Sequence, residues 1–222
     1  MRYFRMVFRS LLFLATFLVL DYVLPQHDIA RITGTSIIPT TVGRFNGMFY
    51  SQVDAGNPNS ATRSLRLINT EKKDTFLLGF IPRDKTSVMV YRNEDTGWIW
   101  PPYFKFDSSD LQAQADANVS QSDPPKWVVI THYGWRNRFF SIYPNAIAIR
   151  PIDDPNITII PWFNIFFLTF LLIAVLFLRR AWFQFRERMI EPAVEEIGNR
   201  MDEVSAGVAE RRGRLRRWFG GK

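Results

Sequence analysis

Hydrophobic and polar positions along the chain follow three different rhythms, and each predicts a different kind of element. From Ile157 to Leu178 there are 22 residues without a charge. At about 1.5 Å of rise per residue this run spans about 33 Å as a helix, enough to cross a hydrocarbon core of about 30 Å. It predicts a transmembrane helix over 157–178, with Trp162 and Trp182 at the two interfaces and Arg179 and Arg180 closing one side. A shorter apolar run, SLLFLATFLVLDYVLP over 10–25, carries Asp21 near its far end and predicts a first membrane helix. A cleaved signal peptide is the competing reading. The run is followed by no small-x-small site, and Arg9 and Asp21 lie near opposite ends, where they reach headgroups, so an uncleaved anchor is favoured. Asp21 reads as an interfacial acid one turn from Pro25, in preference to an intramembrane proton relay.

Between these runs the period drops to two. DIARITG, SLRLINT, FLLGFI, SVMVYR, WVVITHY, RFFSIY and AIAIRPI are short stretches rich in Ile, Val, Phe and Tyr, separated by polar turns such as EKKD, PRDK and NEDTG. Residues 63–92 read as a three-strand meander and 127–152 as three further strands. SSDLQAQADAN breaks the pattern with good helix formers, and Ser109 stands three residues before Gln112 as in a capping box. The fold class expected is α+β: two transmembrane helices flanking a small β-rich or barrel-like domain over 26–156, with one short helix, and a C-terminal amphipathic helix over 179–222.

That last segment has a third rhythm. Apolar residues recur at Ile190, Val194, Ile197, Met201, Val204, Val208, Leu215 and Trp218, alternating steps of four and three residues before a step of seven across Arg211. This is a heptad seam. Pro192 suits the first turn of a helix, and Glu196 stands four residues before Arg200, the favourable order. The end of the chain sets Arg214, Arg216 and Arg217 beside Trp218, a combination suited to anionic headgroups. Gly198, Gly207 and Gly213 weaken the helix.

Charge then gives a threading. Residues 1–9 carry three Arg and no acid, residues 179–222 carry 11 basic and 7 acidic residues, and the segment between carries 14 of each. The formal charge of +7 therefore lies outside the central domain. By the positive-inside tendency both termini, 1–9 and 179–222, face the cytoplasm, and residues of about 26–156 lie outside, in the periplasm of a bacterial inner membrane. The pI of 9.9 reports topology and requires no nucleic-acid partner, because a nucleic-acid binder carries its basic excess on a folded domain. Cys is absent, so an exported domain of this size relies on core packing; 47% hydrophobic and 15% aromatic residues suffice for one.

Three strings, LPQHDIARITGT (24–35), YRNEDTGWIWPPYFKF (91–106) and WVVITHYGWR (127–136), resemble a family of membrane-anchored alphaproteobacterial proteins catalogued as a domain of unknown function. The resemblance covers roughly residues 10–150. It implies an inner-membrane anchor and a periplasmic domain, and it brings no catalytic residue with it.

Catalytic equipment is sparse. There is no Gly-rich phosphate loop, no G-x-S-x-G, no H-E-x-x-H and no thiol. No cofactor, metal site or catalytic residue is expected. The two His, His27 and His132, read as structural, and an envelope enzyme built on His27, Asp28 and His132 requires those side chains to converge. Trp98, Trp100 and Tyr103 surround Pro101-Pro102, where missing backbone donors favour an edge strand or covering loop. They read as a roof over the core, or as a patch that docks a neighbour.

The function expected is that of a non-catalytic accessory or scaffold protein of a respiratory, photosynthetic or envelope complex. Its partners are the lipid bilayer, other membrane proteins, and a second copy through the heptad helix. A membrane sensor with a periplasmic ligand pocket beneath Trp98, Trp100 and Trp135 is the alternative.

Overall fold

The computed structural model describes residues 2–41, 62–76, 81–96, 103, 105–121, 123–218 and 220. Their elements are α1 (Arg2–Val23), β1 (Gln26–Thr41), β2 (Thr62–Phe76), β3 (Ile81–Arg92), α2 (Ser108–Ala117), β4 (Trp127–Tyr133), β5 (Asn145–Ile152), α3 (Trp162–Phe185) and α4 (Glu191–Trp218). The chain divides into one compact unit over Met1–Asn164 and a second over Ile165–Lys222.

In the first unit five strands close into a barrel in the order β1-β2-β3-β5-β4, with β3 and β5 parallel and every other pair antiparallel. This is the strand order of an OB-type Greek-key barrel. Closure depends on β1. Its first residues pair with β4 (Gln26 opposite His132) and the rest with β2 as far as Thr41 opposite Thr62, with a register irregularity between Ile32 and Gly34. Such an irregularity bends and twists a strand, and so lets one strand serve both edges.

Inward alternation fills the barrel with Ala30, Ile32, Ile68, Tyr91, Val128 and Ile130, all fully buried. Leu111 and Ala115 of α2 join this core. Ser120 N–H donates to Ile32 O at 2.9 Å and fixes the segment leaving α2. A barrel of this size is plugged by side chains, with no lumen to hold open.

Three expectations need correction. Phe76 ends β2 opposite Ile81, the start of β3, so the described residues of 63–92 form two antiparallel strands where a three-strand meander was expected; residues 77–80 of FLLGFI lie outside the described residues. RFFSIY is likewise no strand: it forms a tight hairpin tip closed by the Asn137–Ile142 bridge, with Ser141 at φ 51°, so 127–152 holds two strands instead of three. Helix α2 lies where predicted but without a capping box. Asp107 is its N-cap, with no side-chain cap bond, and Asp95 Oδ1 accepts from Ser108 N at 2.8 Å instead. A carboxylate from a distant loop has taken the local cap's place.

Two helical runs, α1 and the one beginning at Trp162, are long and apolar enough to cross a membrane. Both of their threonine hydroxyls are turned onto the helix backbone: Thr16 and Thr169 donate to the carbonyls of Leu12 and Ile165, four residues back. Helix α3 begins at Trp162 and runs on past Leu178 to Phe185; residues 186–190 then form a π-helical turn leading into α4. Pro192 sits in the first turn of α4, and Glu196 pairs with Arg200 at 2.7 Å. Val194, Ile197, Met201, Val204 and Val208 all face solvent, and Ile190 is half-buried.

Candidate functional site

Four consecutive strands in sequence each contribute one polar side chain to the barrel interior. Asp28 (β1) accepts from His132 Nε2 (β4) at 3.0 Å, from the Tyr91 hydroxyl (β3) at 2.5 Å and from Lys72 Nζ (β2) at 3.1 Å. Strand geometry explains the meeting. Gln26 is directly opposite His132, so Asp28, two residues on, shares the face of His132. His27, one residue off, points to the other side of the sheet. The convergence needed for an acid–base triad is therefore met by Asp28 and His132 and not by His27.

The charges explain themselves. Burial alone would push the Asp28 carboxyl up. The hydrogen bond and charge of His132, then Lys72 and the Tyr91 hydroxyl, outweigh it and hold the group well below the ordinary carboxylate range. Tyr91 is driven well above its ordinary value by burial and by the adjoining Asp28 charge. Burial also lowers His27, helped by the positive charges of His132 and Arg150.

His132 donates through Nε2–H to the carboxylate, and Nδ1 is the ring's other polar atom. Here His132 Nδ1 is buried and has no hydrogen-bond partner among the described residues. No group of three His, Cys, Asp or Glu gathers at metal-binding distance among them either.

A second polar cluster sits where α1 meets the barrel. Tyr22, in the last turn of α1, is buried, with its ring edge-on to Tyr133 (6.2 Å) and Trp135 (5.3 Å). Gly134 N–H donates to Tyr22 O at 2.9 Å, Trp135 Nε1 donates to Asp21 Oδ2 at 2.7 Å, and the Tyr103 hydroxyl donates to Val23 O. Tyr103 also stacks on Tyr133 at 4.5 Å. Asp21 is thus an acid at the helix end with a dedicated indole donor. Behind these rings Asn145 links Tyr133 to Glu94, and Arg92 pairs with Glu94 at 2.9 Å. The exit from the barrel is tied as well: Lys73 Nζ donates to Asn156 Oδ1 at 2.6 Å, and Asn164 Nδ2 donates to Pro25 O at 2.9 Å.

Lys105 belongs to this cluster, donating to Asn93 Oδ1 at 2.5 Å. Burial pushes its ammonium down to about 8, against the opposing pull of Asp107 and Asp95. Because the unfolded lysine titrates near 10.4, the unfolded chain binds more protons between about pH 8 and pH 10.4. Stability from this group therefore rises with pH across that window. Lysine NMR on reductively methylated protein is expected to show one resonance with a midpoint near 8, absent from the Lys105→Met variant.

Of the positions singled out in the sequence, Tyr103 is turned onto its own domain, while Trp162, Trp182 and Arg214 are exposed. Trp98 and Trp100 lie outside the described residues, as do the side chains of Arg216, Arg217 and Trp218. Sequence reasoning missed Lys72, Tyr91 and Tyr22, and it singled out Asp21, Tyr103 and Trp135 without bringing them together at the end of α1. The LDYV string at the end of the first apolar run, with its Tyr beside an acid, was the available signal.

The family model described as protein of unknown function (DUF1523) matches residues 1–186, which takes in both apolar helices and the whole barrel and leaves α4 outside. A Haemophilus influenzae protein described as uncharacterized is 34% identical over 191 residues, covering 81% of this chain and 97% of its own length. Neither match bears on an alphaproteobacterial origin. No solved structure matches the chain to a significant degree.

Proposed function

The chain belongs to the DUF1523 family of proteins of unknown function, and for a member built in this way we propose a non-catalytic accessory role in a bacterial inner-membrane complex. In this reading α1 and α3 span the bilayer, both termini are cytoplasmic, and the barrel stands on the periplasmic face. The observation that carries it is the α1 junction. The last turn of α1 is a packed and hydrogen-bonded part of the barrel, through Tyr22, Asp21–Trp135 and Tyr103–Val23. A leader removed during export would strip the domain of one of its own core residues, so the helix reads as a permanent mount.

The outer face of β2 supports a structural role. OB-type barrels commonly bind oligomers over strands 2 and 3, but here Leu65 and Leu67 are buried against Val90 and Tyr143 of the same chain. The interior cluster reads as structural too. Asp28 is held ionised by three donors and is a weak base, and Nδ1 of His132 is buried. Components of a membrane complex are then met by the barrel exterior and by the seam of α4.

The absence of cysteine makes the topology directly testable. Single cysteines at Ala113, exposed on α2, and at Asn199, exposed on α4, are expected to react differently with a membrane-impermeant maleimide on spheroplasts: the first labels, and the second labels only after lysis. Labelling of both in intact spheroplasts overturns the threading. Cross-linking from exposed barrel positions in native membranes is expected to yield one recurrent product; monomer alone removes support for the accessory role.

A further inference from the structure

We propose that the hairpin joining β4 to β5 is a membrane-contacting loop, with Phe139 and Phe140 entering the headgroup–acyl boundary beside the end of α1. This rests on the membrane-anchored reading above. Phe139 is 97% exposed and Phe140 56%, and Phe139 is the most exposed large hydrophobic residue among those described. Two adjacent aromatics at a loop tip stay outward only if the backbone holds them there, and here it does.

Asn137 Oδ1 accepts from the backbone N–H groups of both Phe139 and Phe140, at 2.9 and 3.2 Å. Asn137 and Ile142 exchange a pair of backbone bonds at 3.0 and 2.9 Å. Arg136 Nη1 donates to the carbonyls of Asn137 and Ile142, and its guanidinium lies 4.3 Å from the centre of the Tyr143 ring. The tip is therefore preorganised, with its polar groups satisfied from within, so presenting the rings costs little further ordering.

Position selects lipid as the occupant. The hairpin starts at Gly134 and Trp135, which are bonded to Tyr22 and Asp21 in the last turn of the first span. Phe139 is four residues on, so even a fully extended chain keeps its Cα within about 14 Å of that of Trp135. That reach covers the interfacial zone at the span's end, where amphipathic aromatic rings concentrate. Arg138, exposed beside the two rings, supplies the charge that anionic headgroups attract. Loop and span end together form one aromatic collar, with Trp135 as its inner member.

The natural lack of cysteine again gives the test. Full-length Phe139→Cys, labelled with an environment-sensitive fluorophore, is reconstituted into phosphatidylcholine–phosphatidylglycerol vesicles. Leu172→Cys in α3 and Ala113→Cys on α2 serve as lipid and water references. The label at 139 is expected to be quenched by doxyl lipids severalfold more than the label at 113, more weakly when Arg138→Glu is added, and to resist aqueous iodide. If it follows position 113 in both quenchers while 172 responds to doxyl lipid, the loop stands in water and the proposal is overturned. If 172 itself fails to respond, the membrane-spanning reading falls and the loop proposal falls with it. Unchanged thermal unfolding of each labelled variant separates these outcomes from misfolding.

Discussion

Asp28→Asn is expected to destabilise the barrel by about 3–5 kcal/mol, the range found when one partner of a buried ion pair is removed. The carboxylate accepts from His132, Tyr91 and Lys72 at once, whereas an amide offers one acceptor and turns an NH2 toward donors. Thermal unfolding followed by near-UV circular dichroism should show a Tm lower by on the order of 10–20 °C. The pH dependence carries the sign. The folded carboxyl is depressed relative to an unfolded value of about 3.9, so its stabilisation is complete above that value and is lost as pH falls below it. Wild-type protein should therefore lose stability steeply below about pH 4, with a shallower slope in the variant. Adding Lys72→Met should recover only a small part of the loss, because the Lys72 side chain is partly exposed and water can solvate its ammonium once the counter-charge is gone. A loss under about 1 kcal/mol would mean that solvent replaces the carboxylate, and that the cluster is no part of what holds the barrel closed.

The three rhythms carried most of the architecture. The charge-free run over 157–178 was legible as a long apolar helix, which the structure begins at Trp162 and carries on to Phe185, and β4 and β5 were legible because each has one face buried. Where the reading failed, a local signal was ambiguous. RFFSIY has strand composition, yet Asn137 caps the tip with its own side chain and Ser141 adopts positive φ, so the apolar pair is spent on a turn. Of FLLGFI, with the same composition, only Phe76 and Ile81 are described, and they are the facing ends of β2 and β3. The capping box lost to Asp95, 13 residues away.

The interior cluster was half legible. Asp28 and His132 stood out as rare groups in strands, but their meeting depends on the register of β1 against β4. Tyr91 and Lys72 enter only once the barrel closes, since they come from β3 and β2. Pairing across a closed barrel is a long-range property, and no short window of sequence contains it.

Tyr22→Ala is expected to cost about 3–5 kcal/mol, the range for truncating a large buried aromatic side chain, although Tyr22 belongs to an apolar helix and not to a strand. It is 6% exposed, and its ring meets Tyr133 and Trp135 edge-on while covering Gly134. Gly134 is the other half of the joint. Its φ of +88° strains any residue with a Cβ, and a Cβ there would lie 3.4 Å from the Tyr22 ring. Gly134→Ala should therefore cost about 1–2 kcal/mol by backbone strain. The double variant should lose less than the sum, because both changes open one seam. Leu12→Ala, at an exposed position of the same helix, should leave the unfolding transition of the barrel unchanged. Limited proteolysis in detergent gives a second readout: protease should cut between Val23 and Gln26 in Tyr22→Ala and spare the wild-type chain. If Tyr22→Ala keeps both its Tm and its resistance to cutting, helix and barrel are joined by a tether alone. The barrel would then be free to turn on its anchor, and the fixed mount on which the accessory role depends would not exist.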